Sequence, residues 1–197
     1  MAIRSARAED VENTDRRVLR SRQMPVDALA RLLLRRDFDD TSIQEITDEA
    51  DLTRATFYLH FADKSALLQA MTAIRFGELI EKRGISRTTD AADLKGLAQV
   101  VCEYLAKVLE CHSSSNMPLE RAVIPAIEGV LQKALKGVNF APGVDADSYA
   151  TAIAWALYGL ASRWAHTLKQ KTAEEMADAI EVLLRPIIEN VLSARLS

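Results

Sequence analysis

Thr41-Ser42-Ile43-Gln44-Glu45-Ile46-Thr47-Asp48-Glu49-Ala50-Asp51-Leu52-Thr53-Arg54-Ala55-Thr56-Phe57-Tyr58-Leu59-His60-Phe61-Ala62-Asp63-Lys64 decides the fold. Ser42 and Glu45 stand three apart as a capping box, in which hydroxyl and carboxylate satisfy each other's free backbone donors at a helix start. Ile43, Ile46, Thr47 and Ala50 share one face of the helix that follows, read as Ile43 to Ala50. Asp51-Leu52 is a tight connection, and Thr53 is placed to cap a third helix that reaches about His60. Two helices of about eight residues joined by so short a turn form a helix-turn-helix unit.

Working outward, Asp63 caps a fourth helix from Lys64 to about Arg83, with Leu67, Leu68, Met71, Ile74 and Leu79 along one stripe and Gly84 at its end. Upstream, Val26, Leu29, Ala30 and Leu33 follow helical spacing from Pro25 to Arg36, with Pro25 suited to a first turn. A shorter turn of helix over Arg16 to Gln23 precedes it, and Asp37-Phe38-Asp39-Asp40 breaks it. Residues 1–14 mix charge and small side chains without periodicity and read as a disordered tail. The expected domains are 15–84, a helix-turn-helix domain with an arginine-rich arm and a connecting helix, and 85–197, with helices at about Ala91 to Cys111, Pro118 to Lys136, Asp147 to Gln170 and Ala173 to Ala194.

Composition agrees with an all-α protein. In 197 residues, 49% hydrophobic and 27% charged, the 7 Gly and 5 Pro leave few turn formers for the many short strands of a β fold. The most apolar run, Tyr149 to Trp164, is interrupted by Thr151, Gly159 and Arg163 and is shorter than the ~18 residues of a membrane span. Residues 1–10 lack the apolar centre of a secretory signal, so a cytoplasmic protein with no membrane partner is expected. Cys102 and Cys111 make no disulfide framework and have no partners at zinc spacing, so neither a metal nor a cofactor is expected. Net charge is −3, and the one basic concentration is local: Arg16, Arg17, Arg20, Arg22, Arg31, Arg35 and Arg36. Such a run serves a phosphate-facing arm or a solvated helix face.

The run Thr56-Phe57-Tyr58-Leu59-His60-Phe61-Ala62-Asp63-Lys64, directly after a capped helix and a short turn, strongly resembles the DNA-binding domain of TetR-type, tetracycline-repressor-like transcriptional regulators. The resemblance covers roughly Pro25 to Met71, and the arginine arm looks like members with a basic N-terminal extension. It implies a three-helix DNA-binding domain followed by an α-helical ligand-binding and dimerisation domain. It further implies a homodimer that places two recognition helices on a palindromic operator in double-stranded DNA, a small-molecule effector and, by default, repression. Two positions depart from the family pattern: Asp37 and Asp51 stand where glycine is usual, and aspartate is among the few residues that accept a positive φ.

The residue types fit this reading on their own chemistry. Arg54 has the fork to take O6 and N7 of guanine, and the methyl groups of Ala55 or Thr56 suit a thymine methyl. Tyr58, His60 and Lys64 suit phosphate oxygens, as the matching positions do in the family, with Thr53 at the cap. Ser42 and Gln44 lie at a helix start, where free N–H groups attract anions. Structural alternatives stand beside these: His60 as a satisfied core histidine, and Arg54 paired to a carboxylate.

In the C-terminal half the helix Tyr149 to Trp164 is apolar on every side. Ile153, Leu157, Leu160 and Trp164 face its own domain, which leaves the small stripe Ala152, Ala156 and Gly159 for a second subunit. In the last helix Met176, Ile180, Leu183, Ile187 and Val191 fall on one side and Leu184, Ile188 and Leu192 on another, so a four-helix dimer interface is expected. Tyr104, Met117, Trp155 and Tyr158 are candidate liners of the effector site that the resemblance implies, with core packing as the alternative for each. Arg163 serves an anionic ligand group or an intersubunit ion pair. The chain has no Gly-rich phosphate loop, no Gly-x-Ser-x-Gly and no metal-spaced His/Cys set, which argues against an enzyme. Two competing functions remain: a thiol or small-molecule sensor, for which Cys111-His112 is the sequence cue, and an interaction protein whose aspartates at 37 and 51 weaken DNA binding.

Overall fold

The computed structural model describes residues 2–85, 93–111, 117–138, 140, 143–167 and 171–193, with side chains from Arg17 to Glu189 apart from Cys111. Among them every regular element is an α-helix: α1 (Ala2–Leu33), α2 (Ile43–Glu49), α3 (Arg54–His60), α4 (Lys64–Lys82), α5 (Leu94–Cys111), α6 (Leu119–Ala134), α7 (Ala146–His166) and α8 (Ala173–Ser193). By packing the chain divides into Met1–Met71 with Ser114–Met117, and Thr72–Ser113 with Pro118–Ser197. The division therefore falls inside α4, earlier than the loop after Gly84 that composition marks as the boundary. Thr72 and Phe76 explain it. Thr72 shares a hydrogen bond with the Tyr104 hydroxyl (3.0 Å), and the Phe76 ring lies 4.9 Å from that of Tyr104, so both belong to the second core.

In the first unit α1 is far longer than the periodic stretch Pro25 to Arg36. Residues 2–14, read from composition as a tail, are helical, in keeping with the strong helix formers Ala2, Arg4, Ala6, Arg7, Ala8 and Glu9. Pro25 lies inside the helix instead of opening it, so its missing N–H leaves one rung of the ladder unmade while its fixed φ still suits the helix. The core is Val26, Leu29, Leu32, Leu33, Phe38, Ile46, Phe57, Phe61, Leu67 and Leu68, on which α1, α2 and α3 meet pairwise.

The α2–α3 turn is set by backbone hydrogen bonds. Leu52 N–H donates to the Thr47 carbonyl (2.9 Å) and Asp51 N–H to that of Asp48 (3.2 Å), a Schellman ending with Asp51 in the left-handed region at φ 53°. The end of α4 repeats it with Ile85 to Ile80 (3.2 Å), Gly84 to Glu81 (3.0 Å) and Gly84 at φ 63°. Asp51 thus occupies a glycine position. Asp37 does not: among the described residues Asp51 is the one non-glycine with positive φ, because α1 ends in a turn closed by Leu34 on Arg31 and Arg35 on Leu32.

In the second unit α5 packs on α7 and α8, and α6 on α7. Asp145 caps α7 through Ser148 N–H (2.7 Å), and Thr172 and Glu175 form a capping box before α8. α7 ends at His166, where Thr167 turns extended, short of the expected Gln170; residues 168–170 lie outside the described residues. α7 buries Ile153, Leu157 and Trp164 and leaves Ala152 and Gly159 exposed, as their spacing predicts, while Leu160 of the inward set and Ala156 of the outward set are both half-buried and Trp155 is 55% exposed. In α8 the inward set is Ala177, Ile180, Leu184 and Ile188, so Ile180 leaves the face assigned to it with Leu183 and Ile187, which are exposed. Three- and four-residue steps from Ala177 account for the change.

Replacing Asp51 by glycine, which bears the same φ without a Cβ penalty, is expected to stabilise the protein by up to about 1 kcal/mol, and Asp51→Val to cost about 1–2 kcal/mol. Urea unfolding followed by circular dichroism checks both signs.

Candidate nucleic-acid interface

α3 has seven residues, too few to persist alone, and it is fixed at both ends. Thr53 caps it by accepting from Thr56 N–H (3.1 Å), and the two threonine hydroxyls are 2.9 Å apart. Phe57 is 0% exposed, with its ring 5.7 Å from that of the buried Phe61. Burying that side turns Arg54, Ala55, Tyr58 and Leu59 outward, with Thr56 and His60 half-buried at the margins. Tyr58, 48% exposed, stands edge-on to Phe57 at 5.4 Å and 89°. The result is a short rigid helix showing a fork of donors, a phenol and two apolar side chains, which suits base edges and phosphates in a major groove.

α1 reaches the far end of this helix. His60 Nε2 and Ser21 Oγ are 2.8 Å apart, and the Arg22 guanidinium lies 5.9 Å from the centre of the Phe61 ring. Arg17, one turn before Ser21 on the same face, is exposed, as are Arg20 and Arg22. The later arginines of the basic run are committed elsewhere. Arg31 and Arg35 both pair with Glu49 (2.6 and 3.0 Å), and Arg36 pairs with Glu45. These bonds hold both carboxyls below the ordinary 4.5: for Glu49 the Arg31 hydrogen bond is the largest cause, and for Glu45 the Ser42 backbone N–H is. The pairs accordingly contribute above that pH and are lost as pH falls through the lowered values. Arg54, by contrast, is exposed and has no carboxylate partner among the described residues.

Several expected contacts are spent internally. Lys64 is the clearest correction: its ammonium donates to the carbonyls of Phe38 (2.5 Å) and Thr41 (2.7 Å), reaches that of Asp39 (3.4 Å) and lies 4.3 Å from the centre of the Phe38 ring. It ties the α1–α2 turn to α4 instead of pointing at a phosphate, and burial lowers its pKa despite Asp39, Asp40 and Glu45 nearby. At the start of α2, Ser42 N–H donates to Glu45 Oε2 (2.9 Å) and Glu45 N–H to Ser42 Oγ (3.2 Å), so the anion attraction expected there is already answered by Glu45. Gln44 is exposed and donates to Asp48 (2.8 Å). Leu59 joins the outward face as well, and the sequence signal for it is the four-residue step from Ala55.

The four candidate effector liners do not share one environment. Tyr104 is buried with its hydroxyl bonded to Thr72 and its pKa pushed up by burial, a core residue. Trp155 lies on the exposed side of α7, Tyr158 is half-buried with its pKa also raised by burial, and Met117 is half-buried in the first unit. Arg163 is exposed. The Cys102 thiol is buried and pushed up to about 12, which keeps it protonated at neutral pH; the side chain of Cys111 and all of His112 lie outside the described residues. No group of three His, Cys, Asp or Glu is placed to hold a metal among the described residues, and no described helix is long and apolar enough to cross a membrane.

Residues 26–71 match the family described as bacterial regulatory proteins, tetR family, ending at the last residue of the first packing unit before α4 passes into the second. A curated relative, the uncharacterized HTH-type transcriptional regulator YxbF of Bacillus subtilis (strain 168), is 31% identical over 112 residues, which are 56% of this chain and 28% of that protein. This chain therefore spans well under half the length of that relative. Among solved structures, a TetR-family regulator from Streptomyces coelicolor A3 aligns with TM-score 0.52 and 21% identity over 86% of this chain and 95% of its own. The dihydroxyacetone kinase operon activator DhaS aligns with TM-score 0.50 and 18% identity over 87% of this chain and 98% of its own. These two likenesses establish a shared all-helical fold.

Lys64→Met, which keeps the stem and removes the charge, is expected to cost about 2 kcal/mol of stability while leaving the salt dependence of DNA binding as in the wild type. A phosphate contact at Lys64 would give the reverse: unchanged stability and a slope of log affinity on log salt shallower by about one. Urea melts and binding titrations at several salt concentrations distinguish the two.

Proposed function

We propose, for a chain whose N-terminal domain belongs to the TetR family of bacterial regulatory proteins, a sequence-specific transcriptional regulator that binds duplex DNA as a homodimer. The observation that carries the reading is the outer face of α3. It holds an exposed arginine without an acidic partner among the described residues, on a helix locked by Phe57, while three nearby arginines are paired with Glu45 and Glu49. In this reading Arg54 takes a guanine edge in a bidentate contact. Ala55 and Thr56 lie against the bases, and Thr53 sets the start of the reading helix. Tyr58 and His60 hold phosphates, with Ser42 and Gln44 at the flank. The exposed Arg17, Arg20 and Arg22 extend the phosphate track along α1.

The dimer draws its support from the outer faces of α7 and α8. Ala152 and Trp155 on one, beside the exposed Gly159, and Val182, Leu183 and Ile187 on the other are apolar residues exposed in the single chain, and a second copy covers them in an isologous four-helix interface. Two-fold symmetry then calls for a palindrome with half-sites about 34–36 Å apart. The sign of regulation is repression, released when a small molecule binds the C-terminal unit and favours a conformer that no longer matches the half-site spacing. Such release requires a coupling of about 1–3 kcal/mol or more, carried through α4, which contributes residues to both units.

Selection from random duplex DNA at near-physiological salt tests the reading. A palindrome is expected from the wild type, and Arg54→Ala is expected to lose about 1–3 kcal/mol and to relax one base pair per half-site. Sedimentation of the same protein is expected to show a dimer that Ile187→Glu converts to monomer. A selection that yields no common sequence, or a wild-type monomer, contradicts the corresponding part.

A further inference from the structure

Leu59, the penultimate residue of α3, is 81% exposed beside the polar Arg54 and Tyr58. It stands four residues after Ala55, and because helical side chains lean toward the N-terminus its branched end lies over the turn that carries Ala55. The outer face of α3 thus has two columns: Arg54 with Tyr58, polar, and Ala55 with Leu59, apolar. Among the described residues nothing covers the second column, since Phe57 and Phe61 supply the anchoring contacts on the other side.

In a major groove the edges of guanine, cytosine and adenine offer donors and acceptors, and thymine alone adds a methyl group. A leucine pressed on the first three removes water from polar atoms and returns no hydrogen bond; against thymine it buries methyl on methyl. The adjoining Arg54 and the exposed arginines of α1 favour a polyanion over an apolar protein surface as the occupant of this face. We infer that Ala55 and Leu59 form an apolar strip that reads the C5-methyl of thymine beside the base pair taken by Arg54. The inference rests on the DNA-binding reading and adds to it a specificity residue, Leu59, and the base it selects.

The test uses the full chain and the duplex it selects, resynthesised with deoxyuridine at each thymine in turn, which removes the methyl and leaves the pairing intact. Wild type is expected to bind about fourfold more weakly for each methyl that Leu59 covers. Leu59→Ala, a change at an exposed position, is expected to bind the thymine and uracil duplexes equally there, while Arg54→Ala keeps the discrimination. Equal binding of both duplexes by the wild type, or full discrimination retained by Leu59→Ala, overturns the inference with DNA binding intact. Failure to select any duplex overturns the DNA-binding reading itself, and the inference with it.

Discussion

Burial of Phe57 is the constraint on which the rest of the site depends. A helix of seven residues has too few internal hydrogen bonds to repay its own nucleation, so its existence and its orientation both come from tertiary contacts. A fully buried phenylalanine of this kind contributes about 3–5 kcal/mol relative to alanine, and here it also fixes rotation. At about 100° per residue, holding Phe57 and Phe61 inward leaves no choice about which side chains face out. The Thr53 cap decides where the helix begins, and the left-handed Asp51 decides how sharply the chain arrives there.

Charge is organised by the same economy of contacts. The chain as a whole is acidic, and its basic run does not act as a block. Glu45 and Glu49 project from α2 toward the end of α1 and hold Arg31, Arg35 and Arg36, which steadies the α1–α2 pairing. Of the arginines left over, Arg54 opens α3 and Arg22 lies over the Phe61 ring that follows it. Lys64 belongs to the structural group, since carbonyls gathered from the α1–α2 turn surround its ammonium. What distinguishes a framework cation from one able to meet a phosphate is therefore its partner, not its position in a motif.

Local chemistry made much of this visible in the sequence. The capping box at Ser42, the cap at Thr53 and the aromatic anchors at Phe57 and Phe61 are short-range patterns, and α2 and α3 fall within a residue of where those patterns put them. The inward face of α7 was likewise readable from spacing. Other features depend on partners far along the chain. The carbonyls that capture Lys64 lie 23 and 26 residues away, and the Thr72 that takes the Tyr104 hydroxyl lies 32 residues away, so neither role can be inferred from neighbours. The aspartate pair shows the same limit: both stand where glycine is usual, yet of the two Asp51 alone has a positive φ, because α2 ends in a Schellman turn and α1 does not. Residues 2–14 lack an apolar stripe, so only helix propensity, a weaker signal than periodicity, marks them as helical.

Arginine-specific labelling of the protein, free and bound to its selected duplex, with mass-spectrometric readout at each site, tests the central claim most directly. The account predicts protection at Arg54, Arg17 and Arg20 on binding, with Arg31, Arg35 and Arg36 unchanged because their partners lie within the domain. An Arg54 that reacts equally in the free and bound protein would contradict it.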